Sequence, residues 1–309
     1  MKRILVTGGS GMVGKYLREL LPQADYPSSH QLNLLNPSHT YSYVQSYKPE
    51  IVIHLAAVVG GIRDNIERPL VYFEDNLMMN FNIVRACREF KVNNFITALS
   101  TCVFPDNFDR IEEFQYPMKE EDLHFGPPTP TNYGYGYAKR VMGVHVDVIN
   151  ATNNNSNYCY LTPCNLFGEY DKYDDKGSHF VSALLKKIIV AQKEGRSYIE
   201  LLGTGKPLRQ FMYAKDLARL IVEMIETNTY TNLNVCPSEV LSINELTLAT
   251  LKALGLEHFE IRYSGDLDGQ YRKDASNEKL KQVFPNFKLT PFEAAVKHTY
   301  EYLITKQVV

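Results

Sequence analysis

Between residues 3 and 14 the chain reads Arg3-Ile4-Leu5-Val6-Thr7-Gly8-Gly9-Ser10-Gly11-Met12-Val13-Gly14. An apolar run ends in a glycine-rich turn and passes directly into a segment with helical spacing. Glycines at 9, 11 and 14 let the backbone turn sharply and approach a pyrophosphate closely. The helix opening there presents free amide groups and the positive end of its dipole. The pattern predicts a β-α-β start in which Gly8, Ser10, Gly11, Met12, Val13 and Gly14 cradle a dinucleotide. The alternative is a turn that only packs helix against strand.

The sequence downstream keeps this rhythm. Helices are expected over 11–21, stopped by Pro22, and over 37–47, where Asn36 caps and Pro37 sits at the first helical position. A short second strand is expected near Asp25-Tyr26, then strands at 51–55, 94–99 and 158–162, with helices over 71–90 and 135–150 between them. Near-continuous apolar strands alternating with helices predict an α/β fold with a doubly wound parallel sheet. Residues 105–132 break the alternation, hold five of the fifteen prolines, and read as a long loop or insertion of the kind that often carries function. Further helices are expected over 182–194, 214–226, 243–253 and 291–305. The alternation decays after residue 165. The expected division is a dinucleotide-binding domain over 1–165, completed by about 207–236, and a smaller α/β substrate-binding domain over 166–309.

Composition narrows the function classes. With 309 residues, a net charge of -2 and 22% charged residues, the chain lacks the basic surplus of a nucleic-acid binder. Its longest apolar stretch, 51–62, is broken by His54 and two glycines and falls short of the ~20 residues that span a bilayer. The basic start is followed by only three apolar residues, too few for a signal peptide. Cys87, Cys102, Cys159, Cys164 and Cys236 form no CxxC or CxH pair, which argues against a zinc site or a disulfide framework and for the reducing cytoplasm.

Two further groups carry chemistry. Tyr135 and Lys139 are four apart on a helix and share a face. A lysine ammonium beside a phenol is expected to lower its pKa from ~10, and the tyrosine then protonates a developing alkoxide. Ser100, at the carboxyl end of a strand, is placed to donate to the same oxygen. A second Tyr-x-x-x-Lys match, Tyr302 to Lys306, stands far from any cofactor signal and reads as helix surface. Cys102, two residues beyond Ser100, is a candidate base for a carbon-bound proton next to a ketone, and His179 its candidate acid partner. In the ribose position ~20 residues after the glycines, Ser28, Ser29 and His30 replace the usual acid and favour NADP over NAD; the one acid nearby is Asp25.

Taken together these residues resemble the extended short-chain dehydrogenase/reductase family of nucleotide-sugar enzymes. Within it they are similar to the bifunctional 3,5-epimerase/4-reductases of GDP-4-keto-6-deoxy-D-mannose. The likeness spans nearly the whole chain. It includes the glycine turn, His54-Leu55-Ala56-Ala57-Val58-Val59-Gly60-Gly61-Ile62, Ser100-Thr101-Cys102-Val103-Phe104-Pro105 and Tyr135-Gly136-Tyr137-Ala138-Lys139. It continues in Pro163-Cys164-Asn165-Leu166-Phe167-Gly168, Ser178-His179, Lys206-Pro207-Leu208-Arg209-Gln210-Phe211 and Gln270-Tyr271-Arg272-Lys273. The resemblance implies that Ser100, Tyr135 and Lys139 reduce the ketone, with Cys102 as epimerisation base and His179 as acid. It implies that Asn33, Leu34, Leu55, Ala56, Ala57, Pro163, Asn165, Leu166 and His179 join Tyr135 and Lys139 around NADP(H). It implies that Thr101, Asn165, Lys187, Leu202, Arg209 and Lys273, with Ser100 and Cys102, hold the GDP-sugar. It also implies a homodimer joined through the helices near Val71 and Tyr135, with no metal. The chain departs from relatives in Leu202 where some carry Trp, in Ser29 where some carry Arg, and in its long 105–132 segment.

Two other readings stand beside this one. A single-function 4-epimerase or 4-reductase would need Tyr135 and Lys139 but neither Cys102 nor His179. A cofactor-sensing or RNA-binding protein on the same fold would need no intact Ser, Tyr and Lys.

Overall fold

A computed structural model describes residues 2–106, 115–152, 155–173, 178–265, 268 and 270–309. Part of the 105–132 segment, residues 107–114, therefore lies outside the described residues. Strand β1 (Ile4–Thr7) is wholly buried and leads through the glycine turn into helix α1 (Met12–Leu20), two residues short of Pro22. Helix α2 (Pro37–Tyr47) starts as its sequence dictates: the Asn36 side chain accepts from His39 N, and Pro37 occupies the first turn. Strand β2 (Ile51–His54), helix α3 (Ile62–Glu67), helix α4 (Pro69–Glu89), strand β3 (Asn94–Ala98), helix α5 (Tyr133–Thr152) and strand β4 (Asn157–Pro163) follow.

Strands β1, β2, β3 and β4 are adjacent and parallel, and β9 (Leu233–Val235) adds to the β4 edge after the chain has left the sheet and returned through α7 (Ala214–Glu226). Every residue of β1, β2 and β9 is buried, as expected of strands covered by helices on both faces. The strand expected near Asp25-Tyr26 does not form. Asp25 makes one parallel bridge to Leu5, with Asp25 N donating to Ile4 O and Val6 N to Asp25 O. Pro27 has no N–H to extend the ladder. The chain thus touches one side of β1 and then crosses to β2 on the other, which puts the sheet's switch point at the glycine turn.

Between β4 and β9 lie β5 (Asn165–Phe167), α6 (Phe180–Lys193), β6 (Tyr198–Leu202), β7 (Leu208–Arg209) and β8 (Phe211–Tyr213). After β9 come β10 (Leu241–Ser242), α8 (Ile243–Ala253), β11 (Glu260–Ser264), β12 (Arg272–Lys273), α9 (Glu278–Val283) and α10 (Phe292–Lys306). These strands pair in small sets: β5 with β8, β6 with β11, and β7 between β10 and β12. A separate apolar cluster of Leu184, Ile188, Ile199, Leu201, Leu251 and Phe259 binds α6, β6 and α8.

The described part of the proline-rich segment is not a free loop. It contains 3-10 turns at Glu120–His124 and Pro130–Asn132. Met118 bridges Ala275, Met118 N donates to Asp274 O, and the Tyr116 hydroxyl donates to Arg272 O at 2.9 Å. The segment is thereby stitched across the strand that carries Lys273.

Candidate active site

The parallel sheet directs its carboxyl ends to one edge, where an open α/β sheet receives ligands. Gly8 follows β1, Leu55 to Ala57 follow β2, Ser100 to Cys102 follow β3, and Pro163 to Leu166 close β4 and open β5.

At the first of these, Gly8 has φ +77°, and a Cβ there would lie 2.6 Å from Ala56 N. A Cβ on Gly14 would lie 2.4 Å from Gly8 O. Gly8 is demanded by the close pass of the glycine turn beside Leu55-Ala56, and Gly14 by the packing of α1 on that turn. Gly11 caps α1 without a side chain, and Ser10 and Gly11 are exposed, so the first-turn amides of Met12 and Val13 have no side-chain cap. This is the arrangement a pyrophosphate requires. Ser28, Ser29 and His30 are exposed beyond the Asp25 bridge. The Asp25 carboxylate accepts from the Tyr43 hydroxyl at 2.7 Å and is engaged inside the fold. The residues present therefore fit a dinucleotide with a 2′-phosphate. Asn33 turns its side chain to Leu35 N, and Leu34 packs into the core with its carbonyl accepting from Asn82 Nδ2 at 2.8 Å.

The second group gathers on α5. Tyr135 and Lys139 are both buried. Lys139 Nζ donates to Ala98 O at 2.7 Å and stands 6.0 Å from the centre of the Tyr135 ring. Here the expected acidification of the phenol is corrected. Burial pushes the Tyr135 pKa well up, with the Cys102 and Tyr72 charges adding to it, and burial lowers Lys139 to about 8. The ammonium is committed to a carbonyl, and desolvation outweighs its attraction for a phenolate.

Helix α5 approaches the Ser100 turn closely enough that a Cβ on Gly136 would lie 2.6 Å from Cys102 O. Arg140 fastens the two together. Its Nε donates to Val103 O at 2.9 Å and its NH1 to Gly126 O at 2.7 Å. A second link runs through His54, which is buried and held neutral, its pKa lowered to about 4 chiefly by burial. Its ring joins Thr7 Oγ1 at 2.7 Å to Asn80 Oδ1 at 3.0 Å, and Asn80 Nδ2 donates to Ala138 O at 3.4 Å.

Ser100 caps the 3-10 turn Thr101–Val103 by accepting from Cys102 N at 3.2 Å, which leaves its hydroxyl hydrogen for another acceptor. Thr101 is buried beneath that turn. Cys102 is half-buried, and Lys273 Nζ lies 3.0 Å from its Sγ. Burial alone would raise the thiol's pKa, but the charge and hydrogen bond of Lys273, the Ser100 hydroxyl and the His179 charge outweigh it, and the net shift is downward.

His179 stands at the entrance to α6, with Nδ1 3.1 Å from Asp171 Oδ1. Asp171 also accepts from the Ser182 hydroxyl. Burial opposes a charged imidazole, yet the hydrogen bond and charge of Asp171, with a contribution from Cys102, raise the His179 pKa overall. Asp171 holds Nδ1 and leaves Nε2 for the pocket. No pattern in the sequence points to this carboxylate, since an acid eight residues before a histidine has no periodic relation to it.

Arg209, on β7, donates to Leu208 O and Tyr271 O and feels the Cys102 charge. Asn165 donates to Gln210 O at 2.8 Å, and Leu166 beside it is half-buried. Lys187 and Leu202 belong to the α6–β6 layer: Lys187 Nζ donates to Glu200 O at 2.6 Å, and Leu202 is 62% exposed. Tyr302, on α10 in the second Tyr-x-x-x-Lys match, packs edge-on against Tyr170. Among the described residues, no three His, Cys, Asp or Glu side chains gather as a metal site.

A switch-point glycine turn and a strand-end Ser beside a Tyr–Lys helix pair define a Rossmann-type enzyme of carbonyl chemistry. Residues 4–236 match the model of the NAD dependent epimerase/dehydratase family, and the chain belongs to that family. It is 36% identical to a GDP-L-fucose synthase of Dictyostelium discoideum over 98% of this chain and 95% of that one. It is 32% identical to a GDP-L-colitose synthase of Yersinia pseudotuberculosis over 99% of each. Among solved structures, a GDP-L-fucose synthetase of Naegleria fowleri bound to NADP superposes with a TM-score of 0.86 at 33% identity, over 100% of this chain and 94% of that one.

Proposed function

We propose that this chain converts GDP-4-keto-6-deoxy-D-mannose to GDP-L-fucose, by 3,5-epimerisation followed by NADPH-dependent reduction at C4. The observation that carries the reading is the Cys102 thiol, 3.0 Å from Lys273 Nζ and joined to Ser100, beside the Tyr135 and Lys139 pair. A plain 4-reductase or 4-epimerase has no use for that thiol or for a histidine whose charged form Asp171 favours.

In the epimerisation half, the Cys102 thiolate takes a proton from the carbon next to the ketone. The C–H bond breaks, an S–H bond forms, and the electron pair moves onto the C4 oxygen. Ser100 and Tyr135 donate to that oxygen and stabilise the charge as it develops. His179 Nε2 returns a proton from the other face. In the reduction half, Tyr135 donates its proton to the C4 oxygen; because burial keeps the phenol protonated, that proton is retained until an alkoxide forms. Bound NADPH supplies the hydride. Gly8 to Gly14 hold the pyrophosphate, with Ser28 to His30 toward the 2′-phosphate. Arg209, Asn165, Lys187 and Leu202 line the sugar-nucleotide side.

The same reading carries three further parts. Residues 1–165, completed by 207–236, serve the cofactor, and 166–309 serve the sugar nucleotide. Two copies pair through α4 and α5, which expose Met78, Phe81, Val144 and Val148 on their surfaces. All five thiols are free, and no helix among the described residues is long and apolar enough to cross a membrane, which supports work in the cytoplasm.

The test is incubation with GDP-4-keto-6-deoxy-D-mannose and NADPH while the absorbance of the reduced cofactor is followed. Expected are stoichiometric NADPH oxidation, GDP-L-fucose as product, and a kcat/KM that favours NADPH over NADH. Oxidation without inversion at C3 and C5 would reduce the reading to a 4-reductase.

A further inference from the structure

Lys273 is the residue whose surroundings least match the task the family resemblance gives it. A lysine that grips a diphosphate should point its ammonium at open space or at other phosphate ligands. Instead, Nζ stands 3.0 Å from Cys102 Sγ, across 171 residues of sequence.

The backbone on either side of Lys273 is fixed. Strand β12 pairs Arg272 with Leu208 and Lys273 with Arg209. The Tyr116 hydroxyl holds Arg272 O at 2.9 Å, and Met118 N holds Asp274 O at 3.0 Å. The nearest acid in sequence does not compete for the ammonium, since both Asp274 carboxylate oxygens are taken by the Arg272 guanidinium, at 2.7 and 3.1 Å. The groups that face or feel the thiol are Lys273 from β12, Arg209 from β7, His179 from the entrance to α6, Tyr135 from α5 and Ser100 from its own turn. Three of the five are cationic or readily become so, and none is a carboxylate.

We infer that Lys273 is the positioning partner of the Cys102 thiolate, pairing with its sulfur to serve proton abstraction rather than the substrate's diphosphate. The inference rests on the reading of Cys102 as the epimerisation base. The thiol's proton leaves to water, and the ammonium keeps all three of its own and donates one N–H to the sulfur. When the thiolate takes a proton from carbon, the ammonium is left facing a neutral S–H, which favours releasing that proton to water and restoring the pair for the second carbon. Burial, which by itself raises the thiol's pKa, is what the lysine overcomes.

The test reads the thiol directly, in the full chain with neither sugar nor cofactor added. The rate of carboxamidomethylation of Cys102 by iodoacetamide is followed by peptide mass spectrometry from pH 5 to pH 10, for wild type, Lys273→Met and Lys273→Arg. The midpoint of the rate profile should rise by about one pH unit or more in Lys273→Met, slowing alkylation near neutral pH about tenfold. Lys273→Arg keeps the charge and should stay close to wild type, so a loss confined to the methionine variant is not a folding defect. An unmoved midpoint in Lys273→Met, or equal shifts in both variants, would overturn the pairing. No sugar takes part, so a shifted midpoint in a chain that fails to turn over the GDP-sugar would sink the substrate reading and leave the pair standing.

Discussion

Tyr135 and Lys139 come from a single turn of α5 and are buried; Cys102, His179 and Lys273 come from three separate segments and are half-buried. In the first group burial dominates: it keeps the phenol protonated and pulls the lysine down to about 8. In the second group burial opposes the charged forms of both Cys102 and His179, and charge pairing wins each time, through Lys273 for the thiol and Asp171 for the imidazole. The difference follows from the two tasks. A proton donor to an alkoxide must stay neutral until the oxygen charges. A base and acid that exchange carbon-bound protons must stand ready as thiolate and imidazolium before the substrate arrives. The Tyr135 phenol should therefore stay protonated while Lys139 loses its charge as pH rises through about 8, and the charge-paired half should fail on both sides: below the thiol's pKa, where the base is protonated, and above the histidine's, where the acid is spent.

The largest effect should come from the buried half. Tyr135→Phe keeps the ring and its packing but removes the donor, and the rate of NADPH oxidation should fall by about 10²–10⁴-fold. Fluorescence titration should show NADPH binding retained. Turnover near wild type would mean that another donor serves C4 and that the two halves are not divided as described.

Next in size is Asp171→Asn, which removes the charge that raises the His179 pKa. A raised pKa means that activity requiring the imidazolium is present at low pH and is lost as pH rises through that pKa. The asparagine variant should therefore lose epimerisation at a lower pH than wild type, with about tenfold less activity on the alkaline side and little change on the acid side. A pH profile of solvent-deuterium exchange into the sugar reads this, and superimposable alkaline limbs would remove Asp171 from the account.

A smaller effect concerns the joint between the halves. Arg140 is buried and, among the described residues, donates to the backbone carbonyls of residues 103 and 126. Arg140→Met strands those acceptors and should cost about 1–3 kcal/mol of unfolding free energy, measured by urea denaturation. A stability equal to wild type would show that α5 is fastened to the Ser100 turn by other means.

The two regions also differ in how far the sequence revealed them. The glycine turn, the Asn36 cap and the Tyr135–Lys139 pair depend on spacings of a few residues, and the structure has each at the expected place. The parallel sheet follows from the same local alternation, save at Asp25-Tyr26, where Pro27 denies the strand its next hydrogen bond. The charge-paired half was visible only in part. Cys102 and His179 stand out in the sequence, but Asp171 does not, and Lys273 enters only as one of the residues that the resemblance places around the GDP-sugar. Both partnerships depend on tertiary joins, such as that of residues 116–118 with 272–275, which no periodicity encodes. The error over the Tyr135 phenol has the same origin. Helical spacing shows that a lysine is near a tyrosine but not how deeply both are buried, nor that Ala98 O has already claimed the ammonium.

The central claim is that Cys102 is a base and not a packed thiol. Its most direct test is the reaction run in heavy water with NADPH, for wild type and Cys102→Ala, with the deuterium located in the product by NMR. Wild type should carry deuterium at C3 and C5 of GDP-L-fucose. Cys102→Ala, with Ser100, Tyr135 and Lys139 untouched, should lose that label and slowly yield an unepimerised, 4-reduced sugar. Fully epimerised, doubly labelled product formed by Cys102→Ala at the wild-type rate would contradict the account.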